Sequence, residues 1–186
     1  MADRKTLVRF FTVADYEEEE QWLRRQHQNG WKLVKTVLPC FFVFERCTPE
    51  DVVYRLHYKN DCGNGEYFQL FQDYGWTYFN RCMGWLYFRR PVSETDTAQE
   101  QEIFSDDASR VEMLRHIVRT RMLPLLVIFF ACLLPNFINS VRRAEGGVPF
   151  ADGFTVIFSV LVLVYLFLFV YCGGKLRRLK KKYEKT

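Results

Sequence analysis

A chain of 186 residues, 49% hydrophobic and 17% aromatic, has room for one compact domain of about a hundred residues once its apolar C-terminal runs are set aside, but not for two. Its net charge of +4 hides a split: residues 1–109 carry 13 Lys and Arg against 18 Asp and Glu, a net of −5, whereas residues 110–186 carry 13 against 4, a net of +9. The basic excess belongs to the apolar end, where it complements anionic lipid head groups, so a nucleic-acid reading of the overall basicity loses most of its force.

In chain order, residues 6–13 (TLVRFFTV) are β-branched and aromatic and read as a first strand. A helix follows, with Asp15 as its cap, Glu17 to Glu20 in the first turn where the dipole favours anions, Arg24 and Arg25 toward the last turn, and Asn29-Gly30 as the stop. Dipole compensation explains the four glutamates more simply than a docking surface does. Tyr16, Leu23 and His27 fall near one face, with Trp22 beside them, and that face is expected against a sheet. Residues 31–38 and 41–46 are strands joined at Pro39-Cys40, and residues 52–58 alternate as a half-exposed strand. The cluster at residues 60–65 (NDCGNG) is a turn. Residues 66–74 then form a second helix, whose Tyr67, Leu70, Phe71 and Tyr74 recur at i, i+3, i+4 and i+7. Two aromatic strands, residues 76–83 and 85–90, turn at Gly84. This order predicts the α+β class, with a largely antiparallel sheet and two helices on one face over residues 1–90; ferredoxin-like is the nearest common architecture.

Residues 91–104 turn polar and read as a linker, with Ile103-Phe104 docking back on the domain. Residues 105–121 form a juxtamembrane helix, in which Ser109 and Glu112 are spaced as a capping box and Val111, Leu114, Val118 and Met122 continue one apolar stripe. Residues 122–141 and 153–172 then make a transmembrane two-helix hairpin around an external turn, 142–152, followed by a basic cytoplasmic tail, 173–186. The second run carries no charge, and at about 1.5 Å per residue it matches a hydrocarbon core of roughly 30 Å. The first is interrupted by Pro124 and Pro135, with a kink expected near Pro135, and its far end holds Asn136, Asn139 and Ser140. Arg115, Arg119 and Arg121 before the first span, and Lys175, Arg177 and Arg178 after the second, predict a two-pass protein of the cell membrane with both termini cytoplasmic; Arg142 and Arg143 are a minor counter-signal. No signal peptide is expected, because the N-terminal stretch runs into acids without a long apolar core.

Six cysteines without a CxxC pair read as free thiols in a reducing cytosol. Structural zinc announces itself by two close ligand pairs, which Cys40, Cys47, His57, Cys62 and Cys82 do not offer, so no metal, cofactor or catalytic residue is expected. Cys62 and His57 could meet as nucleophile and base, yet nothing local activates either. The aromatics are the remaining signal. Trp22, Trp31, Tyr54, Trp76 and Trp85 are the candidate interaction residues, because Trp and Tyr are favoured at interfaces and in binding grooves.

The blocks Trp22-Leu23, Gly30-Trp31, YRLHY at 54–58, EYFQLFQDYGW at 66–76, WLYFRR at 85–90 and EIFSDDASRVEML at 102–114 occur in order, and on them residues 5–115 resemble domain-of-unknown-function family 2812. The resemblance implies a soluble N-terminal domain followed by membrane spans, a largely Gram-positive bacterial source, encoding near PadR-like regulators and hence a role in an envelope response; it brings no catalytic motif. The expected function is that of a membrane-tethered cytosolic binding or regulatory module, not an enzyme. The alternative is a subunit of a membrane transporter or oligomeric assembly acting through the hairpin. The expected partners are the lipid bilayer and a protein or small ligand, with no specific nucleic acid; the polar residues of the first span leave a homo-oligomer open.

Overall fold

The computed structural model describes residues 3–59, 65–93, 97, 102–103, 107–146 and 151–183, which fall into two compact units, Met1–Met113 and Leu114–Thr186. All but the last residue of the expected turn at 60–65, most of the linker including Phe104, and residues 147–150 lie outside the described residues; Gly65 opens the second helix.

The N-terminal unit is α+β, but its strands form two three-stranded antiparallel sheets instead of one. In the first, β1 (Arg4–Val8), β3 (Phe41–Arg46) and β2 (Trp31–Val37) lie in the order β1-β3-β2; in the second, β4 (Val52–Tyr58), β6 (Trp85–Pro91) and β5 (Thr77–Cys82) lie in the order β4-β6-β5. The edge strands β2 and β5 run alongside each other, and side chains make the join. The Leu33 N–H donates to Tyr54 Oη at 3.4 Å, and its carbonyl accepts from Arg89 Nη1 at 3.5 Å. Both edges are irregular here, with register shifts between Leu33 and Lys35 in β2 and between Tyr78 and Asn80 in β5. A bulge on each edge breaks the regular repeat of backbone groups that a continuous ladder would need.

Alternation along β4 and β6 sends their side chains to two different helices, which corrects the expectation that both helices share a face. Helix α1 (Tyr16–Gln28) takes the side of Tyr54, Leu56 and Tyr87, and also covers the first sheet, where the Trp22 ring meets Phe42 and Phe44 edge-on at 5.0 and 5.6 Å. Helix α2 (Gly65–Asp73) packs Tyr67, Phe68 and Phe71 on the opposite side, against Val53, Trp76, Leu86 and Phe88. Leu70 and Tyr74 of the expected stripe are instead exposed, since the helix ends at Asp73 and turns the 67, 68, 71 edge inward. Ile103 docks on the same cluster, as its apolar character suggests.

The ends of α1 differ in how they are made. Gly30 stops the helix at φ +81°, and a Cβ there would lie 3.1 Å from the Cys47 carbonyl, so both conformation and space require glycine. Asp15 does not cap: its carboxylate accepts from the Thr12 N–H (2.9 Å) and hydroxyl (2.6 Å), fixing the loop that enters the helix.

In the second unit, α3 (Asp107–Ile117), α4 (Leu123–Ile128) and α5 (Leu134–Glu145) follow one another through two π turns, Val118–Met122 and Phe129–Leu133, and α6 (Ala151–Tyr183) returns beside them. The boundary between the units falls within α3, which begins two residues before Ser109 and so places that serine inside the first turn instead of at the cap. Each proline stands two residues after a π turn. A proline ring collides with the carbonyl four residues back, and the widened turn relieves this while Leu123 and Leu134 N–H reach the Val118 and Phe129 carbonyls. The hairpin is tied by a 2.9 Å bond between the Ser140 and Thr155 hydroxyls and by Phe129 against Tyr165 and Phe169. Two helices, Ala108–Arg143 and Gly153–Tyr183, are long and apolar enough to cross a membrane.

The β5–β6 hairpin turns on Met83 (φ +50°) and Gly84 (φ +85°), the two left-handed residues of a type I′ turn, whose first position favours Asn, Asp or Gly. Met83→Asn should therefore raise stability by about 1 kcal/mol. Denaturant unfolding of the detergent-solubilised chain followed by tryptophan fluorescence checks this, because all four tryptophans lie in the N-terminal unit.

Candidate functional site

The concentrated chemistry of the N-terminal unit lies on the buried face of α1. Tyr16, Glu19, Glu20, Trp22, Leu23 and His27 are all buried, so two adjacent carboxyls of the four-glutamate run enter the core. Glu19 Oε1 accepts the Tyr87 hydroxyl at 2.8 Å, and burial pushes its pKa up to about 7 against that hydrogen bond. Burial also holds Tyr87 above its usual range, with the Glu19 charge adding to it. The Cys82 thiol is raised too, first by burial and then by Glu19 and Cys40.

Glu20 meets the open side of β4. Its Oε1 accepts the Leu56 N–H at 2.7 Å, and Arg55 Nη1 lies 3.4 Å from Oε2. Burial lifts Glu20 to about 8 and outweighs Arg55 and the backbone bond. This direction is physically consistent, since Arg55 already spends a bidentate pair on Glu102 (3.0 and 3.1 Å), which also meets Arg110. The arginine charge is balanced there, and Glu20 can stay protonated near neutrality. Further along α1, His27 Nδ1 lies 2.7 Å from the Tyr54 hydroxyl. Because Tyr54 accepts the Leu33 N–H, its own proton is available to a neutral imidazole; burial, helped by Arg89, lowers the His27 pKa accordingly.

The residues expected to form an aromatic interaction surface are mostly core. Trp22, Tyr54, Trp76 and Trp85 are buried, the last between Tyr16 and Tyr58 at 5.5 and 5.2 Å. Trp31 alone is half-buried, with the Lys5 ammonium 4.2 Å over its ring. Tyr67 of α2 bonds His57 Nδ1, and burial holds His57 down to about 4, so it is neutral at pH 7. Cys62 lies outside the described residues, and among those described no three His, Cys, Asp or Glu groups converge as metal ligands. Of the expected basic flank, Arg115, Arg119 and Arg177 line a cleft in the second unit, Arg121 and Lys175 are half-buried and Arg178 is exposed.

One exposed feature was not singled out from the sequence. At the tip of the first sheet, Val8 pairs with Phe41 and Phe41 with Val37, giving a cross-strand apolar row on the outer face. Leu38 continues it, 61% exposed at φ +57°, and Arg9 N–H to the Cys40 carbonyl holds the neighbouring Phe10, 79% exposed, beside that turn. Strand β5 runs alongside β2 and ends at Cys82, whose thiol feels Cys40, so Met83, 53% exposed, lies toward the same end.

The buried acids set a pH dependence. Glu19 rises from 4.5 to about 7 and Glu20 from 4.5 to about 8, so the folded state holds protons that the unfolded state releases, and stability falls as pH rises through that window. His57 drops from 6.5 to about 4 and His27 is lowered as well, so both oppose the acids, costing stability as pH falls through 6.5. Between about pH 7 and 8 the unfolded histidines are mostly neutral and the acids dominate: unfolding midpoints should decrease across this range. Glu19→Gln keeps an acceptor for Tyr87 and should remove much of one proton's share of the slope, about 1.4 kcal/mol per pH unit at most.

No curated protein and no solved structure matches the chain. A family described as proteins of unknown function, DUF2812, matches residues 15–128, from the residue before α1 to the last of α4. That is well over half of the 186 residues, and the chain belongs to this family.

Proposed function

We propose that the chain is a membrane-tethered module whose N-terminal unit presents its apolar tip to a protein partner. The observation that carries this is the cluster of Val8, Phe10, Val37, Leu38, Phe41 and Met83 in solvent, with two of its members in left-handed conformations that L side chains rarely adopt. A large apolar side chain gains nothing for folding from being both exposed and strained, and such combinations collect at binding surfaces. The tether is supported by the two apolar helices: of their most apolar 18-residue stretches only 17% and 0% is buried, whereas a soluble core helix would bury that surface. Arg115, Arg119, Arg177 and Arg178 at the same end of the hairpin as the N-terminal unit's connection support cytoplasmic termini.

The second reading, a membrane partner acting on the hairpin, draws less support. Ser140 is engaged with Thr155 inside the hairpin, and Asn136 Nδ2 donates to the Cys132 carbonyl of its own helix at 2.7 Å. Two of the polar groups that could recruit a helix are therefore already occupied.

Leu38→Gly separates folding from recognition, because glycine tolerates φ +57° while deleting the apolar surface. The variant is expected to unfold at a higher denaturant midpoint and to lose about tenfold in capture of a crosslinked membrane-fraction partner by the detergent-solubilised chain. Capture equal to that of the unaltered chain would remove the tip from the function.

A further inference from the structure

The second unit contains a cleft of about 590 Å³ between the first helix and α6, within the size range of small-ligand sites. Its wall is apolar where the apolar runs end, with Met122, Leu123, Leu126 and Phe169 facing it. Its rim is basic, with Arg115, Arg119, Arg177 and Lys180. Arg119 and Arg177 have no ion pair or hydrogen bond among the described residues, and both are exposed. Between wall and rim stands Gly173, followed by Gly174, both inside a 33-residue helix where each costs about 1 kcal/mol relative to alanine. A Cβ on either would meet nothing within 4 Å, so close helix packing does not account for them; at Gly173 the missing side chain leaves the cleft open.

We infer that this cleft binds one anionic phospholipid, the phosphate held at the arginine rim and the upper acyl segment against Leu123, Leu126 and Phe169. The chemistry selects such a ligand on two grounds: a basic rim pairs with a phosphate, and an apolar wall next to it requires an attached hydrocarbon chain. A hydrophilic phosphate would leave the wall wet, and a neutral lipid would leave the charges of Arg119 and Arg177 unmatched. The inference rests on the membrane-spanning reading of the two helices and goes beyond the tether, because it assigns a stoichiometric lipid site to the boundary.

The test uses the full chain reconstituted in phosphatidylcholine nanodiscs containing phosphatidylglycerol, then released into mild detergent and weighed by native mass spectrometry. One phosphatidylglycerol per chain should remain in preference to phosphatidylcholine. Retention should fall about tenfold in Arg119→Ala/Arg177→Ala, which deletes the rim charges, and in Gly173→Leu, which fills the cleft while favouring the helix. Arg178→Ala, outside the cleft, should retain lipid as the unaltered chain does. Equal loss in Arg178→Ala, equal retention of both lipids, or full displacement by inorganic phosphate would each overturn the site. Alkaline carbonate washing of the source membranes separates the two readings. A chain stripped by the wash overturns the spanning reading and the site with it; a chain that stays but retains no lipid overturns the site alone. Circular dichroism of each variant confirms that a loss is not unfolding.

Discussion

An exposed strand edge leaves a row of unpaired N–H groups, and in β4 one of them is closed from outside by a side chain on α1. Glu20 takes the Leu56 N–H, so the helix is fixed in height and rotation against the second sheet. Once that bond is made, helical spacing puts Glu19 opposite Tyr87 and His27 opposite Tyr54, and it leaves Trp22 pointing to Phe42 and Phe44. One helix thus reads both sheets. The same edge is met further along by Met113, whose sulfur accepts the Tyr58 N–H, so the strand is bordered by helical side chains where another strand would otherwise pair.

The two-sheet arrangement follows from what the join can carry. Tyr54 and Arg89 hold β2 through the donor and acceptor of a single residue, Leu33, and the Arg89 guanidinium also lies over Phe79, the extra residue of the β5 bulge. Polar side chains here do the work of a backbone ladder, and α1 spans the seam. Burying Glu19 and Glu20 beside that seam is costly unless they are protonated, which ties the integrity of the join to the proton activity around it.

Much of the architecture was legible in the sequence. Five of the six strands, both short helices, the α1 stop at Gly30 and the apolar hairpin were marked by alternation, turn residues or length, whereas the first strand, expected over 6–13, lies at Arg4–Val8 because Arg9 to Val13 turn away into the loop that enters α1. What escaped had a physical cause in each case. Period alone cannot say which sheet face a helix covers, and therefore α1 and α2 were placed together. Dipole compensation accounts for the glutamates of α1 by their place in the first turn, although Glu19 and Glu20 stand three and four residues after Tyr16 and share its stripe with Leu23 and His27; spacing marks them for burial where polarity does not. The aromatic residues were plentiful because two sheets and two helices had to be filled. The exposed tip was hidden because Val8, Val37 and Phe41 become neighbours only through pairing across three strands.

The two π turns have a consequence for how the first long helix keeps phase. Each inserts one residue beyond a regular α turn, which rotates everything after it by about 100° relative to an ideal helix. Two insertions lie between Ile117 and Leu134, so a side-chain stripe counted from Val111 at a 3.6 period drifts off the contact face after Val118, and the count has to be restarted past Met122 and again past Leu133. Pro124 and Pro135 mark those restart points, since each follows a widened turn at the same offset. A one-residue deletion within either widened turn would restore an ordinary α turn and keep both halves in phase, at the cost of returning the following proline to the carbonyl four residues back. The same deletion between them swings one half of the helix around its axis and carries the arginines of the other half away from α6.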